Sequence, residues 1–208
     1  MLQTQTVEPH TFSILKELMS FEPLQGFQLV GGTALSLMYG HRVSVDLDLF
    51  SNIKFDTDIL KQLLIDHFGQ RIQFENQPNF FGLFAYIDDI KIDIVKFPHP
   101  LLKPTIEIEG IRMYSPEDIV AMKSQAILGR GKKKDFWDIA ELLNHFPVED
   151  FAKLHEEKYK GQYLLISVPQ AMIYFDDADE SEAPVCLKGK NWEDVKSFIS
   201  QKVREYLS

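Results

Sequence analysis

Asp46 and Asp48 stand two residues apart in a segment where Val43, Val45, Leu47 and Leu49 alternate with Ser44, Asp46 and Asp48. A period of two is that of a β-strand, so a strand over Val43–Phe50 is expected to present both carboxylates on one face. Two carboxylates so placed repel each other unless a cation lies between them or one has a raised pKa, and a divalent metal is the simpler answer. Just upstream, Gln28–Val30 reads as a short buried strand and Gly31 and Gly32 as the turn leaving it. Thr33–Tyr39 follows as a short helix closed by Gly40. Backbone N–H groups at such a helix start form a site of positive potential suited to a phosphate oxygen, and glycine lets a ligand approach without a Cβ in the way. A third acid, Asp93, lies among Ile90, Ile92, Ile94 and Phe97. Buried alone it would be costly. Set beside the strand of Asp46 and Asp48, it completes an oxygen cluster able to hold one or two Mg²⁺ ions and orient a nucleoside triphosphate.

Basic residues gather further along. Between Val120 and Asp135 there are five, Lys123, Arg130, Lys132, Lys133 and Lys134, against the single acid Asp135. Such a group suits a triphosphate or an RNA backbone, and equally a solvated loop between helices. Lys123 is the sharper candidate, because its register beside Ile119, Met122 and Ile127 borders the buried face of a helix. Arg42 and Ser44, preceding the acids, are candidates for phosphate contact. His41 lacks a second ligand-spaced histidine and reads as structural or solvent-facing. Asp135 and Asp138, three residues apart on one helical side, are placed to orient Lys123 or Lys134.

The elements that must position these groups follow from periodicity. Thr11–Ser20 reads as a helix with Phe12, Leu15, Leu18 and Met19 inward, and Asp56–Phe68 as another with Ile59, Leu60, Leu63 and Leu64 inward. Strands near Arg71–Glu75 and Leu83–Ile87 form a pair joined through NQPNFFG, whose neighbouring aromatics Phe80, Phe81, Phe84 and Tyr86 suit either a sheet core or a stacked base. Thr105–Ile108 and Ile111–Tyr114 flank a tight turn at Glu109 and Gly110. Helices are then expected at Pro116–Leu128, Lys134–His145, Val148–Glu157, Tyr163–Tyr174 and Trp192–Tyr206, with Asp176–Glu182 a mobile, solvated acidic loop. The fold class is α+β: a mixed sheet flanked by helices, followed by a helical C-terminal half. The expected division falls near Phe146 and Pro147, into a core of residues 1–146 and a helical region of residues 147–208 packed on it.

Composition sets outer limits. The 208 residues are 45% hydrophobic and 25% charged, an ordinary globular balance. A net charge of −9 argues against a broad basic surface that coats nucleic acid. The one cysteine, Cys186, excludes an intrachain disulfide and suits the reducing cytoplasm. No targeting segment or membrane span is legible.

The ordered motifs GGTAL, HRVSVDLDLF, IDIV and KSQAILGRGKKKDFWDIAELL, across roughly residues 27–143, resemble those of the DNA polymerase β nucleotidyltransferase superfamily and, within it, the AbiEii toxin family. The later YFDDADESEAPVCLKGKNWEDVKSFI resembles a tail of that family. The resemblance implies Mg²⁺, with Mn²⁺ as an alternative, held by Asp46 and Asp48 with Asp93 as third carboxylate. It implies nucleotide phosphates at Gly31, Gly32 and Thr33, helped by Arg42, Ser44 and Lys134, and Lys123 in a catalytic role. The activity implied is transfer of an NMP from an NTP to an acceptor hydroxyl, with tRNA or another RNA as acceptor and an antitoxin protein as partner. A fold of this kind that binds nucleotide or partner without turnover is the alternative.

Overall fold

The computed structural model describes residues 1–75 and 81–208. In chain order the elements are α1 (Pro9–Ser20), β1 (Gln28–Leu29), α2 (Gly31–Tyr39), β2 (Leu47–Ser51), α3 (Thr57–Phe68), β3 (Ile72–Phe74), β4 (Gly82–Ile87) and β5 (Ile90–Lys96). They continue with β6 (Ile106–Ile108), β7 (Ile111–Met113), α4 (Pro116–Gly129), α5 (Lys133–Leu142), α6 (Val148–Lys158), α7 (Val168–Met172), α8 (Asp176–Asp179) and α9 (Trp192–Leu207). The strands form one mixed sheet in the order β3-β4-β5-β2-β1-β7-β6. β2 runs parallel to β5 and β1 parallel to β7, while the other neighbours are antiparallel.

The centre of the sheet is what matters for the site. Leu47 and Leu49 of β2 and Ile92 and Ile94 of β5 are buried on one face, which by alternation turns Asp48 and Asp93 to the other. The β2–β5 register sets Asp48 directly opposite Asp93. β1 joins the far side of β2, and the Val30 N–H donates to the Asp48 carbonyl at 2.9 Å, so the chain enters α2 immediately beside Asp48.

The local reasons for the elements are conventional. Asp56 caps α3 by accepting from the Asp58 and Ile59 amides, and Ser115 caps α4 ahead of Pro116. Glu109 and Gly110, both at positive φ, make the two-residue turn between β6 and β7. α6 and α7 pack on α4, and α9 packs on α5, α6 and α7. Among the described residues, one hydrophobic cluster runs from Leu15 and Leu35 through Ile119 and Phe136 to Phe151, Ile199 and Val203.

Four sequence expectations need correction. The strand expected at Val43–Phe50 begins only at Leu47. The backbone before it is tied elsewhere, Val43 N–H to the Val185 carbonyl and Ser44 N–H to the Thr6 carbonyl, so Asp46 lies on irregular chain and Val45 is exposed. In α3 the buried stripe is narrower than expected: Leu60, Leu64 and Phe68 are covered, while Ile59 and Leu63 are exposed. The helix expected at Tyr163–Tyr174 shrinks to α7, because Pro169 and the Ser167–Gln170 capping box fix its start and leave Tyr163 and Leu165 outside. The acidic segment after it forms α8, whose Asp179 accepts a hydrogen bond from Trp192 Nε1 and faces Lys196. The NQPNFFG connection and Phe80 fall largely outside the described residues.

Candidate active site

A cavity of about 250 Å³ opens where the start of α2, the segment before β2, β5 and the α4–α5 junction meet. Its wall carries Gly31, Gly32 and Thr33, then Arg42, Ser44, Asp46 and Asp48, then Asp93, Lys123 and Lys134. The residues named from the family resemblance for metal, catalytic and nucleotide contact therefore reach one cavity, whereas Lys132, Lys133 and Asp138 are not in its wall.

The start of α2 explains its glycines. Gly31 sits at φ +67°, in the left-handed region that L side chains rarely adopt, and a Cβ there would lie 2.8 Å from Asp48 Oδ2. A Cβ on Gly32 would fall 2.0 Å from the Arg42 guanidinium. Gly31 thus lets the backbone press against an acid, and Gly32 makes room for a buried base. Val30, at the N-cap, offers no side-chain cap, so the first amides of α2 depend on another acceptor. Thr33 Oγ1 donates to the Asp46 carbonyl, which leaves Ser44 Oγ as the donor in the 2.8 Å Thr33–Ser44 pair. Both hydroxyls therefore pin the Asp46 segment to α2.

The acids differ in their surroundings. Burial, and then the neighbouring Asp93 and Asp46, push the Asp48 carboxyl from 3.8 up to about 6, against the opposing pull of Lys123 and Lys91. Asp46 is half-buried, with Lys134 Nζ 3.3 Å from its Oδ2. Asp93 accepts from Lys91 Nζ through both oxygens, at 2.8 and 2.7 Å.

Behind the cavity wall lies a buried network centred on Asp138. Arg42 donates to it through Nε at 2.7 Å and Nη2 at 2.9 Å, His41 through Nε2 at 2.7 Å, and Lys123 Nζ stands 2.6 Å away. Burial alone would raise the Asp138 carboxyl, but Arg42 and Lys123 outweigh it and hold the group well below the usual carboxylate range. Burial likewise disfavours the Lys123 ammonium, yet Asp135, 2.9 Å away, and Asp138 keep it above its ordinary value. Asp135 also caps α5 by accepting from the Lys132 amide. The network is two cations against two anions, so it locks Arg42 and α4 to α5 without leaving a net buried charge.

Phe50 and Met122 also line the cavity, and sequence reasoning did not place them there; Arg130, one of the five bases read as suited to a triphosphate or an RNA backbone, lines it too. Lys91 was legible in principle, since it lies two residues from Asp93 and shares its strand face.

Residues 13–205 match a family model described as Nucleotidyl transferase AbiEii toxin, Type IV TA system. The chain belongs to the AbiEii nucleotidyl transferase toxin family. The chain is thus an enzyme, a nucleotidyltransferase. It is 32% identical over 199 residues to the uncharacterized protein aq_aa25 of Aquifex aeolicus (strain VF5), covering 93% of this chain and 94% of that one. JHP933 from Helicobacter pylori shares the fold at TM-score 0.58 and 19% identity, over 96% of this chain and 92% of its own. MenT4, a nucleotidyltransferase toxin of Mycobacterium tuberculosis H37Rv, shares it at TM-score 0.53 and 14% identity, over 93% of this chain and 86% of its own. Among the described residues, no helix is long and apolar enough to cross a membrane.

A divalent ion can be tested against this wall. Among the described residues, no three His, Cys, Asp or Glu side chains are gathered to hold an ion by themselves. Mg²⁺ does not require such a cage: it keeps several waters and commonly takes one or two carboxylates together with substrate phosphates. Asp46 and Asp48 beside the uncapped amides of α2 fit that habit, and a bound cation would offset the burial and the neighbouring acids that raise the Asp48 carboxyl.

Proposed function

We propose that the chain is a Mg²⁺-dependent nucleotidyltransferase that takes an NTP, moves its NMP to an acceptor hydroxyl and releases pyrophosphate. The single observation that carries the reading is the Asp48–Asp93 pairing across β2 and β5, pressed against Gly31 in a cavity also lined by Lys123 and Lys134. Asp46 and Asp48 are the ion's ligands. When bound, Mg²⁺ or Mn²⁺ supplies charge neutralisation between the acids and polarisation of the α-phosphorus.

The chain's own groups do the rest. The amides at Gly31, Gly32 and Thr33 receive phosphate oxygens, while the Thr33–Ser44 pair keeps Asp46 beside them. Lys123 is held ionised by Asp135 and Asp138 and lends its charge to the developing negative oxygens. Lys134 is only loosely paired with Asp46, so it can turn to phosphate once that acid has another counter-charge. Arg42 fixes the wall through Asp138. Asp93 takes the part of third carboxylate, accepting the proton that the attacking hydroxyl gives up as its oxygen bonds to the α-phosphorus.

The acceptor we propose is RNA, with tRNA the first to test, because a basic rim on an otherwise acidic chain suits a polyanion. The family description and the likeness to MenT4 support a toxin role with an antitoxin partner. The test is incubation of the purified protein with Mg²⁺, each labelled NTP and total RNA. Pyrophosphate release with label transfer is expected, lost in Asp48→Asn. NTP binding without either product would instead favour a nucleotide-binding module.

A further inference from the structure

Most basic groups around the cavity are already committed to protein acids. Arg42 is paired with Asp138 and also donates to the Val43 carbonyl. Lys123 faces Asp135 and Asp138, Lys91 spans Asp93, and Lys134 stands on Asp46. Arg130 is the exception. It is exposed, lines the same cavity, and among the described residues its guanidinium makes no hydrogen bond or ion pair.

Its position is set by the backbone. Arg130 is the C-cap of α4, its N–H donating to the Ala126 carbonyl, and Gly131 at φ +40° turns the chain toward α5. Met122, Lys123, Ala126 and Arg130 share one face of α4, the face toward the cavity. Lys123, at one end of that row, is 7% exposed, whereas Arg130 stands at the rim. Seven residues of helix separate them by about 10 Å along the axis.

We propose that Arg130 anchors the β- and γ-phosphates of the incoming NTP. The inference rests on the transferase reading, in which the α-phosphorus lies at Asp46, Asp48 and the α2 amides. The phosphates that leave as pyrophosphate must then extend away from that end, toward the rim. A guanidinium offers five donors in a planar fork that matches phosphate oxygens two at a time, and among the described residues this one has no hydrogen bond or ion pair to give up, its charge reaching Asp135 only at longer range. Arg130 thereby selects triphosphate over monophosphate.

The experiment measures equilibrium binding of nonhydrolysable NTP analogues and of the corresponding NMPs to the full-length protein with Mg²⁺. Arg130→Ala should weaken triphosphate binding by about tenfold or more, the scale of losing hydrogen bonds to a charged group, and leave NMP binding unchanged. Arg130→Lys should recover part of the loss, since it restores charge without the fork. Unchanged triphosphate affinity in Arg130→Ala, or an equal loss for both ligands, overturns the assignment. A loss confined to RNA binding also overturns it, placing Arg130 on the acceptor instead. A parent protein that binds no NTP overturns the transferase reading and this inference with it.

Discussion

Replacing Asp48 by Asn should make the metal-free protein more stable at neutral pH. Asp48 is pushed from 3.8 to about 6 by burial, by Asp93 and by Asp46. A shift of about two units corresponds to about 3 kcal/mol between its protonation states. Because the folded pKa lies above the unfolded one, its stabilising contribution is full below the unfolded value and is lost as pH rises through about 6. At about pH 7.5 the apo fold therefore carries an ionised, disfavoured carboxylate. Asn keeps the shape and removes the charge, for a gain of about 2 to 3 kcal/mol, or roughly 5 to 10 °C in Tm for a chain of this length. The assay is thermal unfolding of parent and variant in chelator, at about pH 7.5 and again at about pH 4, where the gap should nearly close. Adding Mg²⁺ should then raise the parent, by about 2.7 kcal/mol at a hundred times its Kd, and leave the variant in place. A variant that melts below the parent in chelator at the higher pH, or a gap that ignores pH, would refute this account of Asp48.

Asp138→Asn should destabilise the fold by about 3 to 5 kcal/mol, because Arg42 and Lys123 lose their shared buried partner; a change in denaturant midpoint worth less than about 1 kcal/mol would contradict the network's role. Gly32→Ala should harm stability more than activity-neutral surface changes do, since its Cβ must displace the Arg42 guanidinium. Gly31→Ala should chiefly weaken Mg²⁺ binding, read by calorimetry, because its Cβ meets Asp48 Oδ2; equal Mg²⁺ affinity in variant and parent would count against it. Lys123→Ala should raise the nucleotide KM or lower kcat while leaving Mg²⁺ affinity within about twofold, and unchanged kinetics would remove Lys123 from the mechanism.

The parts of the fold that were legible in sequence were those set by local chemistry. The Asp48 face of β2, the Asp56 and Ser115 caps, the Glu109–Gly110 turn and the extent of α4 and α9 all follow from nearby residues. What sequence missed was set by distant partners. The segment around Val43 reads as strand, but its amides are taken by Val185 and Thr6, which no pattern within the segment announces. That Arg42 is held by Asp138, brought to it by α5 from 96 positions away, is equally invisible from its own segment. The acids of α8 are exposed, as a solvated segment should be, but that the segment is a helical turn held by Asp179 to Trp192 and Lys196 depends on α9. The availability of Arg130 is likewise visible only once the partners of the other bases are known.

The central claim is that Asp46 and Asp48 share one ion with a polyphosphate seated on the start of α2. A crystal structure with Mg²⁺ and a nonhydrolysable NTP tests it most directly. It should show Mg²⁺ at about 2.0 to 2.1 Å from oxygens of both acids and of the nucleotide, with phosphate oxygens within hydrogen-bond distance of the Gly32 or Thr33 amides. Nucleotide bound elsewhere, or in this cavity with both carboxylates still paired to protein groups alone, would contradict it.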